Sequence, residues 1–267
     1  MRVLGVDLAW ATSCRSGRSN ETGVVAVEPD GTVVDAGWTR GIGETLIWIH
    51  DHAGENALAM IDASLVVTNA IGQRECETQT GQRYGKWKVS ANSTNLSSPR
   101  LGGQELRLAL EECGWRYNAG WSGPPATGRQ FSECYPYTTL VGAVELGYDS
   151  ERPMYKRRPR AMAAGVFRQQ RAAMCDELIR RLGTLAQATP SLRLLSHGHT
   201  AALLSEPSPI ADQAYKHRED LIDAVICAWT GLLWLRHGID RCQVLGDPGI
   251  DAATIIAPAR PEQRRSA

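Results

Sequence analysis

Two short apolar runs, Val3-Leu4-Gly5-Val6 and Ala57-Leu58-Ala59-Met60-Ile61, each end in an aspartate, Asp7 and Asp62. Both read as buried strands closed by a carboxylate. A third segment, His217-Arg218-Glu219-Asp220-Leu221-Ile222-Asp223-Ala224, reads as helical turns with acids along one side. Carboxylates that interrupt apolar elements are costly to bury. A cation that neutralises them removes the cost, and a divalent metal is the simplest one.

The chain has 267 residues, enough for one large domain with a sizeable core. Lys+Arg and Asp+Glu both number 29, so no global field draws in nucleic acid, and any such attraction must come from local clusters. Met1-Arg2 leads straight into the Asp7 strand, unlike a signal peptide. No window holds ~18 uncharged apolar residues, so no membrane span is expected. The seven cysteines are scattered without a C-x-x-C pair, which favours free thiols and a cytoplasmic location over a disulfide framework or a zinc site.

Along the chain the pattern predicts strands over 2–8, 23–28 and 32–37. Pro29-Asp30-Gly31 supplies the turn of a hairpin between the last two. A short helix is expected over 43–50 and a strand over 57–61. Residues 64–100 are expected to be irregular. A helix over 103–113 should bury Leu106, Leu110 and Cys113 on one face. A strand within 128–135 should run into a helix that starts at Pro136. Long helices are expected over 160–182 and 211–237, the last closed by Gly238. Residues 189–209, with Pro190, Pro207 and Pro209, read as loop, and 258–267 as a fraying polar tail. Three meandering strands, a helix and then a strand make a mixed α/β domain over 1–257, with insertions at about 64–128 and 151–210.

Asp7 or Asp62 taken alone also suits a capping role at a strand end. Their shared context points further: if the two strands are neighbours, the carboxylates meet. On a helix, Asp220 and Asp223 fall one turn apart on one side, as do His217 and Asp220. The positive end of the helix dipole accounts for Glu219 and Asp220 but poorly for Asp223, which lies deeper. Cleavage of a phosphodiester by two metals requires carboxylates from different elements to converge on ions ~4 Å apart, and oxygen-only ligands suit Mg²⁺ or Mn²⁺.

Four motifs in order, Gly5-Val6-Asp7, Ile61-Asp62-Ala63, Glu133-Cys134-Tyr135-Pro136 and Asp220-Leu221-Ile222-Asp223-Ala224 followed by Cys227-Ala228, resemble a family of RNase H-like nucleases catalogued as domain of unknown function 429. The last motif is also similar to the C-terminal helix of RuvC-type Holliday junction resolvases. The family commonly has proline after Ile-Asp-Ala, where this chain has Ser64. The resemblance implies a ribonuclease H-like mixed sheet flanked by helices. It also implies a metal-dependent nuclease site at Asp7, Asp62 and Asp223, with Asp220 and Glu133 as auxiliary ligands.

A nuclease also needs phosphate contacts. Residues 151–171 hold seven basic side chains and one acid. Lys156, Arg157 and Arg158 could grip a nucleic-acid backbone, DNA or RNA, or could form a solvated loop. Lys86 and Lys88 flank Trp87, which could stack a base but more simply packs. His197-Gly198-His199 lacks nearby ligands at metal spacing, and neither Ser13 nor Cys14 has an evident base partner. Two other functions compete with the nuclease. A sugar-kinase-like phosphotransferase would need a second glycine-rich phosphate loop, and Gly246-Asp247-Pro248-Gly249 is a poor one. A non-catalytic nucleic-acid-binding module would keep the fold without turnover.

Overall fold

The structure, a computed structural model, describes residues 1–9, 20–99, 101–156, 162–249 and 252–264. Trp10, Ser13, Cys14, Arg100, Arg157, Arg158 and Arg160 lie outside that set, as does most of the 11–22 segment.

A six-stranded mixed sheet organises the fold, in the order β3-β2-β1-β4-β6-β5. Its strands are β1 (Arg2–Asp7), β2 (Glu21–Val27), β3 (Val33–Arg40), β4 (Ala57–Ile61), β5 (Arg116–Tyr117) and β6 (Arg129–Glu133). Only β2 runs against the others: it pairs antiparallel with β1 and β3, while β1–β4, β4–β6 and β5–β6 are parallel. The β2–β3 hairpin turns where Pro29-Asp30-Gly31 predicts. Gly31 takes φ 88°, and its N–H donates to Glu28 O at 2.9 Å.

Side-chain alternation splits the core into two layers. Leu4, Val6, Ala59 and Ile61 face α1 (Gly41–Ala53) and α3 (Gly102–Glu112), where Ile49, Leu106 and Leu110 are buried. Val3, Val25, Leu58 and Met60 face the other layer. That layer holds α2 (Glu75–Tyr84), α4 (Pro136–Gly142), α5 (Ala164–Thr184), α6 (Gly198–Ser205) and α7 (Asp212–His237). It also holds a small antiparallel sheet of β7 (Cys242–Gly246) and β8 (Thr254–Pro258).

The central element is α7. Every residue from Arg218 to Trp234 is buried, because the sheet covers one side of the helix and the helices of the second layer cover the other. Two glycines set its distance from the sheet. A Cβ at Gly5 would lie 2.0 Å from the Ala224 carbonyl oxygen, and one at Gly23 would lie 2.0 Å from that of Asp220. Backbone therefore packs on backbone along the acid-bearing stretch of the helix.

Several sequence expectations are corrected. The 64–100 stretch contains α2, whose buried residues Cys76, Thr80 and Tyr84 recur at helical spacing without aliphatic side chains, so a hydropathy reading misses it. Cys113 is exposed, not on the buried face of α3. The 189–209 stretch contains α6, and β7 and β8 were not anticipated. Residues 258–264 dock instead of fraying: the Arg260 guanidinium is buried and donates to Val141 O and to Tyr148 O (2.9 Å). The six described cysteines are free.

Gly5→Ala and Gly23→Ala are expected to lower stability by about 2 kcal/mol or more each, since the new methyl meets backbone and not a mobile side chain. Urea denaturation checks this. A neutral Gly5→Ala would mean that α7 does not sit as close as described.

Candidate metal centre

Asp7 closes β1, and Asp62 follows the last residue of β4. The parallel ladder pairs Val6 with Ile61, and the Asp62 N–H continues it by donating to Val6 O at 2.8 Å. The two aspartates therefore stand side by side at the same end of adjacent strands. Asp223 arrives from α7, three residues beyond the carbonyl that rests on Gly23. One carboxylate oxygen from each of Asp7, Asp62 and Asp223 lies within 4.8 Å of the other two. Asp223 is fully buried, Asp62 nearly so, and Asp7 partly exposed.

The cluster carries more negative charge than its surroundings neutralise. Burial, with the Asp223 charge beside it, holds the Asp7 carboxyl well above the usual carboxylate range. Burial pushes Asp62 up to about 7, where Lys156 opposes the shift and Asp223 and Glu133 add to it. Asp220 is pushed up to about 6, again by burial first, and Lys216 on the same helix turn moderates it through an ion pair. These are the shifts expected of clustered carboxylates. Three carboxylates from three elements, offering oxygen donors only, can hold a metal ion.

The other predicted site residues are placed differently. Glu133 closes β6 next to Asp62 but is committed elsewhere. It accepts both terminal nitrogens of Arg74, at 2.8 and 2.6 Å, and the Leu65 N–H at 3.0 Å. Arg74 also pairs with Glu77 at 2.9 Å, giving a buried ionic triad. Glu133 is thus a structural ion-pair partner, not a member of the three-acid cluster.

Lys156 does not face outward to grip phosphate. Its ammonium pairs with Asp223 inside the cluster. Lys86 and Lys88 are exposed and pair with Glu262 and Glu151. Trp87 is buried, with its indole N–H donated to Asp149 O at 2.9 Å, so it packs and does not stack a base. Arg168 and Arg171 both pair with Asp212. His199 Nδ1 lies 2.7 Å from Ala36 O, on the outer strand β3. Tyr135-Pro136 is the strand-to-helix junction, with α4 starting at Pro136. The thiols of Cys134 and Cys227 hydrogen-bond in the core, and burial pushes the pKa of each up. Sequence reasoning missed Arg74, Tyr155 and Lys216, because only the fold shows which polar groups are brought into contact with the buried acids.

The family model described as "Protein of unknown function (DUF429)" matches residues 5–249. The chain belongs to this family. Its matched region takes in Asp7, Asp62 and Asp223 together with the elements that carry them. No curated protein sequence and no solved structure matches the chain with significance.

Two measurements follow from this charge distribution. Asp62 binds its proton more tightly in the folded state (about 7) than an unfolded aspartate does (about 4). Its contribution to stability is complete below pH about 4 and is lost as pH rises through about 7. Metal-free protein should therefore lose melting temperature between about pH 5 and about pH 8. Asp62→Asn should flatten that slope. Glu133→Gln should cost about 1–3 kcal/mol, because the buried Arg74 keeps Glu77 but loses its second carboxylate, while leaving any metal-induced rise in melting temperature in place. Loss of that rise in a folded Glu133→Gln variant would return Glu133 to the ligand set.

Proposed function

We propose that this protein is a metal-dependent nuclease of ribonuclease H-like architecture, with Mg²⁺ or Mn²⁺ as its cofactor and nucleic acid as its substrate. The observation that carries the reading is the convergence of Asp7, Asp62 and Asp223 from two adjacent parallel strand ends and a buried helix. The sheet order, with one antiparallel strand among five parallel ones, supports the same architecture.

In this reading Asp7, Asp62 and Asp223 are the metal ligands and the catalytic carboxylates. Hard oxygen donors in this number suit Mg²⁺ and Mn²⁺ better than softer ions. When bound, the metal supplies a hydroxide-forming water and charge stabilisation for the phosphodiester. The protein's own part is positional. The β1 and β4 ladder fixes Asp7 and Asp62 relative to each other, and the backbone contact at Gly5 and Gly23 fixes the depth of Asp223. Asp220, ion-paired with Lys216, borders the cluster on the α7 side and orders that wall. The partly exposed Asp7 side is where substrate enters. Phosphate contacts then come from exposed basic side chains. Lys86 and Lys88 are candidates among the described residues, since surface ion pairs such as theirs are easily exchanged for phosphate.

The test is cleavage of labelled single- and double-stranded DNA and RNA oligonucleotides with Mg²⁺ or Mn²⁺. Wild-type protein should cleave at least one of these. Asp7→Asn, Asp62→Asn and Asp223→Asn should each lower the rate by about a hundredfold or more. Retention of nucleic acid without turnover would favour a binding module built on the same fold. Failure of the wild type to bind any divalent ion would overturn the nuclease reading.

A further inference from the structure

We propose that Lys156 is the resident second cation of the carboxylate cluster, so that the site takes one divalent ion and not two. The proposal rests on the metal-site reading above and specifies how that site is filled. Asp223 is fully buried, and both of its oxygens are engaged by neighbouring residues of one segment. Tyr155 OH donates to Oδ1 at 2.7 Å, and the Lys156 ammonium pairs with Oδ2.

That segment is anchored, not loosely draped. Tyr155 is fully buried, and its carbonyl accepts Tyr215 OH at 2.6 Å from the same helix that carries Asp223. Its ring meets Tyr137 edge-on at 5.6 Å. The Lys156 ammonium lies 5.3 Å from the Tyr137 ring centre and 5.4 Å from that of Tyr155, within cation–π range. Carboxylate and aromatic faces together make a socket for a single positive charge. Asp223 Oδ2 on one side and the two aromatic rings on the other hold the ammonium in place.

Charge balance then sets the metal count. Asp7, Asp62 and Asp223 carry three negative charges when ionised, and Lys156 cancels one. The remainder equals the charge of one divalent ion. A second divalent ion would leave the buried cluster positive while Lys156 stays in its socket, a costly outcome in a poorly solvated site. Lys216 pairs with both Asp220 and Glu219, so that flank adds one net negative charge, which a second divalent ion would still overshoot.

Calorimetric titration of the metal-free full-length protein with Mn²⁺, without nucleic acid, tests the proposal. Electron paramagnetic resonance of free Mn²⁺ gives an independent count. Wild type should bind one Mn²⁺ per chain. Lys156→Met should bind two, the first about tenfold more tightly or better, because a like charge has been removed from the site. Lys156→Arg should still bind one. Two ions in the wild type would overturn the proposal whatever the variants do, so it survives a misfolded Lys156→Met. One ion in a folded Lys156→Met, with unchanged affinity, would overturn it as well. Absence of Mn²⁺ binding in both wild type and Lys156→Met would instead mark failure of the metal-site reading, and the lysine's role would fall with it.

Discussion

Backbone contact between α7 and the paired strands β1 and β2 is the constraint on which the rest depends. Side chains usually stand between a helix and the sheet it packs on. Here Gly5 and Gly23 remove them at the two places where the carbonyls of Ala224 and Asp220 come down. That approach lets Asp223 share a small volume with two strand-end aspartates. It also buries the helix on all sides from Arg218 to Trp234, which fixes its rotation and hence the aim of its acids. Packing and site geometry are therefore one problem in this fold.

Burial of so many acids requires compensation, and the molecule solves it in two separate ways. Glu133 and Glu77 are matched by Arg74 in a closed ionic triad, in which the planar guanidinium meets carboxylate oxygens two at a time. The three-acid cluster is matched only in part, by Lys156, with Lys216 on its border. The contrast separates structure from function: a satisfied network stabilises, whereas an under-compensated one is poised to take up a cation. Asp62, held up to about 7, belongs to the second kind although it lies beside Glu133 of the first.

Four of the seven cations in the basic stretch from 151 to 171 lie among the described residues, and these turn to the protein itself; Arg157, Arg158 and Arg160 lie outside that set. In sequence the stretch looks like a phosphate-binding run. In the fold, Lys156 faces inward to Asp223, Arg152 lies over the Tyr137 ring at 4.3 Å, and Arg168 and Arg171 hold Asp212. These cations serve the protein's own acids and aromatic rings. Among the described residues no helix is long and apolar enough to cross a membrane, in keeping with the hydropathy of the chain.

The sequence by itself determined the strands that carry Asp7 and Asp62, the helix that carries Asp223, the Pro136 junction and the β2–β3 turn. Each depends on local chemistry: an apolar run, a helical period, a proline at a first turn, a glycine at positive φ. Only the tertiary structure decided that the three aspartates meet and that Glu133 does not join them. Strand order and helix depth are set by contacts between residues far apart in the chain. It also decided the role of Lys156, since the sign and spacing of a charge say nothing of which way its side chain points. α2 escaped the sequence reading because its buried face is made of cysteine, threonine and tyrosine, with Glu77 matched to Arg74. Such a face is recognisable only once its partners are in place.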